Sequence, residues 1–519
     1  MIFKKIPSFN INFSPYLEIV SLIYIVIPNL LFFGLWMRPL YAIPVSIGLI
    51  ISTIIVSLQF KKEKSDFAEV NVNLLTLITF IAVIFFWVYL SGIGGFYFQN
   101  GDYVKHNALF YDLVNSDWPT TYVAKMKGEQ FPLVYYLGYY LAPSMMEKLF
   151  GFAVGEWSCY YLAVIGMILS CAWLIKLTKK FDLATLIFFV FFCGLDFLGY
   201  LMFQQKFPDD WSQHIEWWTW IWQFSSTTTM LFWVPHQLIP GWIITALILE
   251  QTFWKKRVES VFFISTLSIM WTSFVAVGLL PYVILGAILY YSKKVFSFAN
   301  IFSAIILVPI LFFYFISTNP YQSAGSILTM YAHYKLWFWM PMFIFMEIGV
   351  YYLFILKKIT NFKELFTTEI YIPLSFLILF ALLFYRFGEF NDLAMRASIP
   401  PLIILQIYLW KNLPAVNRWY RSFSFYIFVI LFIIGSIAPI HEIFRSVSNP
   451  DVRGRYISIT NLGRTYIHLM SQYMGNANSF YFKYLAPEVD ATTKVQVIPP
   501  DVEYRLYKFR EYRAKNNRN

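Results

Sequence analysis

The sequence predicts an all-α polytopic membrane protein, and three observations carry that expectation. Of its 519 residues 59% are hydrophobic and only 13% charged, against roughly 25% charged in soluble domains. Apolar runs close to the roughly twenty residues that cross a bilayer recur along the chain and stop near Ile440. Lys and Arg gather in alternate short connections, as the positive-inside rule requires of cytoplasmic loops.

A bundle of about 13 spans is expected, near residues 16–36, 40–59, 72–92, 154–176, 182–203, 236–253, 259–276, 279–292, 299–317, 335–356, 369–386, 397–411 and 422–441. The first run lacks a small-residue cleavage site and is soon followed by another span, so it reads as a retained anchor and not a signal peptide. With Lys4 and Lys5 inside, the inner loops carry 19 basic residues and the outer loops 9. The alternation holds only if the Tyr-rich, amphipathic segment 135–151 stays out of the membrane, as a helix on its outer surface. The hairpin at 259–292 has two short spans, and one span fewer would move the tail, residues 442–519, from outside to inside. Cys159, Cys171 and Cys193 fall within spans and read as small apolar residues, with no disulfide or thiolate metal site expected. The net charge of +11 sits in the connections and gives no nucleic-acid surface.

The loop at 94–132 is the most informative stretch. It is far longer than packed spans need, and its aromatic content argues against disorder. It opens with Asp102, followed one helical turn later by His106 on the same face. A second outer loop, 204–237, holds Asp209, Asp210, His214, Glu216 and six tryptophans, among them Trp217 and Trp218. Interfacial anchoring is the ordinary role of Trp, and stacking faces for a sugar or lipid are the alternative. A third segment, 385–401, brings Arg386, Glu389, Asp392 and Arg396 to membrane depth, where ionisable residues are costly and are functional candidates. His236 opens a span at the same face, and Asp196 lies within one.

The order of a span, an outward Asp, two interfacial helices and a return span resembles the GT-C integral membrane glycosyltransferases. The nearest branch is that of the protein mannosyltransferases and the bacterial aminoarabinose transferase. Asp102 stands at the first acid of that family's loop, and Tyr103 replaces its second. Asp117 and Trp118 match its Asp-Trp pair, and Glu129, Gln130, Phe131 and Pro132 stand where it has Glu, Lys, Pro and Pro. The likeness covers roughly residues 94–181. It implies a GT-C-like bundle over 1–441, best matched at 72–181, with an outer loop at 93–153 and a small extracytoplasmic tail.

The activity so implied is transfer of a sugar from a polyprenyl-phosphate donor to a lipid, glycan or protein acceptor, with inversion, outside the plasma (inner) membrane. Asp102 is then the candidate base, already ionised at the ordinary Asp pKa of about 3.9, with helix capping as its bland role. Arg386, Arg396 and His106 are candidate ligands of the donor phosphate, with ion pairing to Glu389 and Asp392 as the alternative for the arginines. Trp217, Trp218 and His236 are candidates for the sugar or acceptor wall. No cofactor is required, although Asp209 and Asp210 suit Mg²⁺ or Mn²⁺. Two other classes stay open: a polysaccharide polymerase or ligase with a lipid-pyrophosphate donor, and a transporter or flippase of lipid-linked saccharide. No P-loop, dinucleotide-binding Gly run or Ser nucleophile elbow is present.

Overall fold

A computed structural model describes residues 8–62, 69–208, 214–318, 324–358, 362–388, 390–413, 423–449, 454 and 457–516. The chain is mostly helical. Among the described residues, eight helices are long and apolar enough to cross a membrane: Tyr16–Leu35, Pro39–Lys61, Phe152–Thr178, Leu183–Gln204, Phe298–Phe315, Leu336–Ile355, Asp392–Asn412 and Phe423–Ser448. The other expected spans are also helical but shorter or interrupted, namely Leu74–Leu90, Val261–Trp271, Ser273–Leu289, Tyr371–Ala381 and Pro235–Ile248, the last continuing into a π-helical turn at Leu249–Trp254. Side-chain caps begin three of these helices. Asn73 Oδ1 accepts from the Leu75 and Thr76 amides, Asp182 Oδ1 from that of Thr185, and Ser297 Oγ from that of Asn300, satisfying backbone N–H groups that an apolar medium would leave bare.

The hairpin at 259–292 departs from two full spans. Val261–Trp271 ends where Thr272 turns extended, and a helix of that length rises about 16 Å, roughly half the hydrocarbon thickness. Asn300 holds the two ends of the hairpin together, donating to the carbonyls of Val258 at 2.8 Å and Val295 at 3.0 Å. The pair therefore enters and leaves at one end of the bundle, and the alternation of loops is unaffected by its shortness.

The two ends of the bundle differ in chemistry. At one, residues assigned to the inner side converge in a buried four-charge cluster: Lys176 Nζ lies 2.7 Å from Glu18 and 2.8 Å from Glu250, and Lys255 lies 3.4 Å from each. At the other, the outer loop folds with the tail. Strand Thr121–Ala124 pairs antiparallel with Glu129–Pro132 and parallel with Gln496–Val497 of the tail. The Asp117 amide donates to the Lys494 carbonyl, and Asp117 Oδ2 accepts from the Lys494 amide. Arg38, between the first two spans, donates to the carbonyls of Lys483 and Ala486. The tail is thus on the side of the 94–132 loop, at the end opposite the Lys176 cluster.

The segment at 135–151 forms the helix Gly138–Phe150, but not wholly on the surface. Its first turns bury Tyr139, Tyr140 and Leu141, and Leu149 and Phe150 are exposed at its end. Gly138 permits this entry, because a Cβ there would sit 3.0 Å from the Trp271 Cα.

Removing one partner of a buried ion pair strands the others, at a cost of about 3–5 kcal/mol. Lys176→Met is therefore expected to lower unfolding stability in detergent by about that amount, while Lys256→Met, at an exposed neighbouring position, changes it little. Equal stability of the two variants would contradict the role given to the cluster.

Candidate functional site

The site grows from the start of the helix Tyr103–Asn115. Asn100 sets the entry, its Oδ1 accepting from the Asp102 amide at 3.0 Å while its Nδ2 donates to the Phe232 carbonyl at 2.6 Å. Asp102 has helical backbone angles, and its side chain makes no cap hydrogen bond. It instead pairs with Lys105, one turn along the same helix, at 2.9 Å, and stays part-exposed. Burial pushes this acid up, but Lys105, His106 and Arg396 outweigh it and hold the group below its usual range. Asp102 is ionised throughout the neutral range.

His106 follows one turn on. Its Nδ1 lies 2.5 Å from the Tyr140 hydroxyl and its Nε2 lies 3.3 Å from the Trp233 carbonyl, so a neutral ring with the proton on Nε2 accepts from the phenol and donates to the carbonyl. Burial, and then the Lys105 charge, push His106 down to about 4. It offers hydrogen bonds at neutral pH, not a charge.

His236, at the start of Pro235–Ile248, lies 4.9 Å from the His106 ring, centre to centre, and stacks on Tyr136. Gln237, with its amide oxygen turned toward the guanidinium, accepts from His236 Nε2 at 3.1 Å and Arg396 Nε at 3.2 Å. That arrangement leaves His236 Nδ1 as a buried acceptor without a donor. Arg396 completes the cluster from the span Asp392–Asn412, paired with Asp392 at 2.7 Å and donating to the Tyr136 hydroxyl at 2.8 Å. The Tyr135 hydroxyl donates to that of Tyr136 at 2.6 Å, and Tyr473 of the tail packs its ring on Tyr135. Two carboxylates, a guanidinium, an ammonium, two imidazoles and several phenols thus gather in one cluster at the loop end of the bundle.

The fold brings Asp102, His106, His236 and Arg396 together and sets other expected residues elsewhere. Arg386 lies in the short strand Tyr385–Phe387, on the Tyr331 hydroxyl and the Gly388 carbonyl; it shares no described partner with Arg396. Trp218 is fully buried, its Nε1 donating to Glu347 at 2.9 Å, so it is core and presents no stacking face. Trp217 packs edge-on against Trp220 and Phe390. Asp209, Asp210 and Glu389 lie outside the described residues. Reading the sequence missed Tyr135, Tyr136, Tyr140, Gln237 and Tyr473; the paired tyrosines of YYLGYY carry the helical spacing that could have signalled a lining.

No protein-family model, curated protein or solved structure matches this chain.

The tail that supplies Tyr473 is anchored by Asp112. Its Oδ2 accepts from the Tyr122 hydroxyl and the Ile459 amide, both at 2.9 Å. Burial raises this acid to about 7 against the hydrogen bonds from Ser458, Ile459 and Tyr122. The unfolded chain loses the same proton near 3.9, so the stabilisation is complete below about pH 4 and is lost as pH rises to about 7. Protection of the tail from protease is expected to fall over that window, and Asp112→Asn to flatten the dependence. An unchanged slope in the variant would exclude Asp112 as its source.

Proposed function

We propose that this chain is a membrane glycosyltransferase of GT-C type that moves a sugar from a polyprenyl-phosphate donor to an acceptor outside the cytoplasm. The observation that carries the reading is an ionised, part-exposed Asp102, paired with Lys105, standing close enough to the buried guanidinium of Arg396 to feel its charge. Asp102 takes the proton of the acceptor hydroxyl or amine as that atom attacks the anomeric carbon. The bond from the anomeric carbon to the phosphate oxygen breaks, and Arg396 with Lys105 stabilises the charge left on polyprenyl phosphate. Attack opposite the leaving phosphate inverts the anomeric centre. His236 Nδ1, an acceptor lacking a donor, is placed to receive a sugar or acceptor hydroxyl.

One observation favours a second reading. The span Leu183–Gln204 is broken between Phe191 and Asp196, and transporters set substrate and ion sites at such breaks. A transfer assay in nanodiscs separates the two, offering labelled polyprenyl-monophosphate and polyprenyl-pyrophosphate sugars with a membrane extract as acceptor. Transfer from monophosphate donors is expected, falling by about 10² to 10⁴ in Asp102→Asn with the fold intact, as loss of a general base does. Near-normal turnover in that variant would sink the assignment of Asp102. Transfer from pyrophosphate donors alone would favour a polymerase or ligase, and lipid-saccharide movement without transfer would favour a transporter.

A further inference from the structure

A second polar cluster lies inside the bundle. The break in the span Leu183–Gln204 carries Cys193, Gly194 and Asp196. Glu216 comes from the connection after that span, which turns inward and buries Ile215, Glu216 and Trp218. Glu347 comes from the π-helical turn Phe345–Gly349, which interrupts the span Leu336–Ile355. Three separate segments thus abandon regular α-helix where they deliver an acid, and such irregular turns concentrate at functional sites.

The donor atoms converge. Cys193 Sγ lies 2.8 Å from Asp196 Oδ2 and 3.7 Å from Glu216 Oε1, and one such atom from each of these residues falls within 4.8 Å of the others. The carboxyls of Asp196 and Glu347 are within hydrogen-bond reach of each other. Glu347 is 3% exposed and Asp196 fully buried, and Glu347 Oε2 and Asp196 Oδ1 have no donor. Gly194 makes the approach feasible, since a Cβ there would collide with Glu347 Oε2. Gly435 of a further span lies against the carbonyls of Cys193 and Gly194.

Three carboxyls and a thiol in a water-poor interior carry a large desolvation cost unless a cation compensates them. Thr229 donates to Glu216 Oε1, Ser226 to Glu216 Oε2, and Trp218 to Glu347 Oε1, which leaves Asp196 Oδ1 and Glu347 Oε2 without a donor. Without a metal, a proton shared by Asp196 and Glu347 satisfies that contact and the Cys193 S–H donates to Asp196 Oδ2 at 2.8 Å; a bound cation would replace both protons. We propose that the three converging donors of Cys193, Asp196 and Glu216, with Glu347 facing Asp196 beside them, form a site for a divalent cation of the zinc class, separate from the residues around Asp102. A set of mixed sulfur and oxygen donors suits zinc. Calcium takes six or more oxygens and magnesium an octahedral set that keeps several waters, and the thiolate selects a softer ion than either. A closed site of this kind ties the broken span to the span that carries Glu347.

The test uses the purified full-length protein from zinc-supplemented cells, with metal content measured by mass spectrometry and then cobalt exchanged for zinc. One equivalent of metal and a thiolate-to-cobalt charge-transfer band are expected in the native chain. Cys193→Ser is expected to abolish the band, and Glu347→Gln and Gly194→Ala to leave the metal substoichiometric. If a variant does not fold, the native cobalt spectrum decides. Native protein that takes up no metal, or metal that persists unchanged in Cys193→Ser and Glu347→Gln, would overturn the site. In the first case, an infrared band of a protonated carboxyl that disappears in Glu347→Gln would assign the cluster to a shared proton.

Discussion

A buried guanidinium organises the outer half of this protein. Arg396 stands in a span, where an unpaired charge would cost several kcal/mol, and the fold answers it from three directions. Asp392 comes from its own helix, Tyr136 from the outer loop, and Gln237 from the central helix Pro235–Ile248. Satisfying one side chain therefore fixes the relative placement of three parts of the chain. Lys105 and His106 chiefly, and Arg396 in smaller measure, hold Asp102 below its usual range although burial opposes them. The ion pair of Arg396 with Asp392 coexists with the role proposed for it.

The two ends of the bundle show how differently buried charge is handled. At the end with the Lys176 cluster, two lysines and two glutamates from three segments neutralise one another, although Glu18 Oε2 and Glu250 Oε2 take no hydrogen bond. At the outer end, hydrogen-bonding capacity is left over: His236 Nδ1 is an acceptor without a donor, and Asp102 is part-exposed.

Much of this was legible in the sequence because it rests on local patterns. Apolar runs located the helices, and the one-turn spacing of Asp102 and His106 placed both at the start of one helix. Spans interrupted by Thr272 or by the break at residues 192–195 were not legible as such, because apolar content does not report where a helix bends. The Trp-rich loop misled for a related reason. Indole rings suit an interface, but Trp218 and Trp222 find Glu347 and the Leu383 carbonyl as N–H partners inside the bundle and become core. Arg386 and Arg396 lie ten residues apart in sequence, yet a strand and a turn separate their surroundings. The tail's Tyr473 reaches the site through contacts that only tertiary folding makes.

The most direct test of the central claim is binding of a polyprenyl monophosphate to the purified protein, measured by native mass spectrometry for the native chain, Arg396→Gln and Asp102→Asn. If Arg396 holds the phosphate while Asp102 serves only as base, binding falls sharply in Arg396→Gln and persists in Asp102→Asn. Equal binding by folded Arg396→Gln and the native chain would contradict the account.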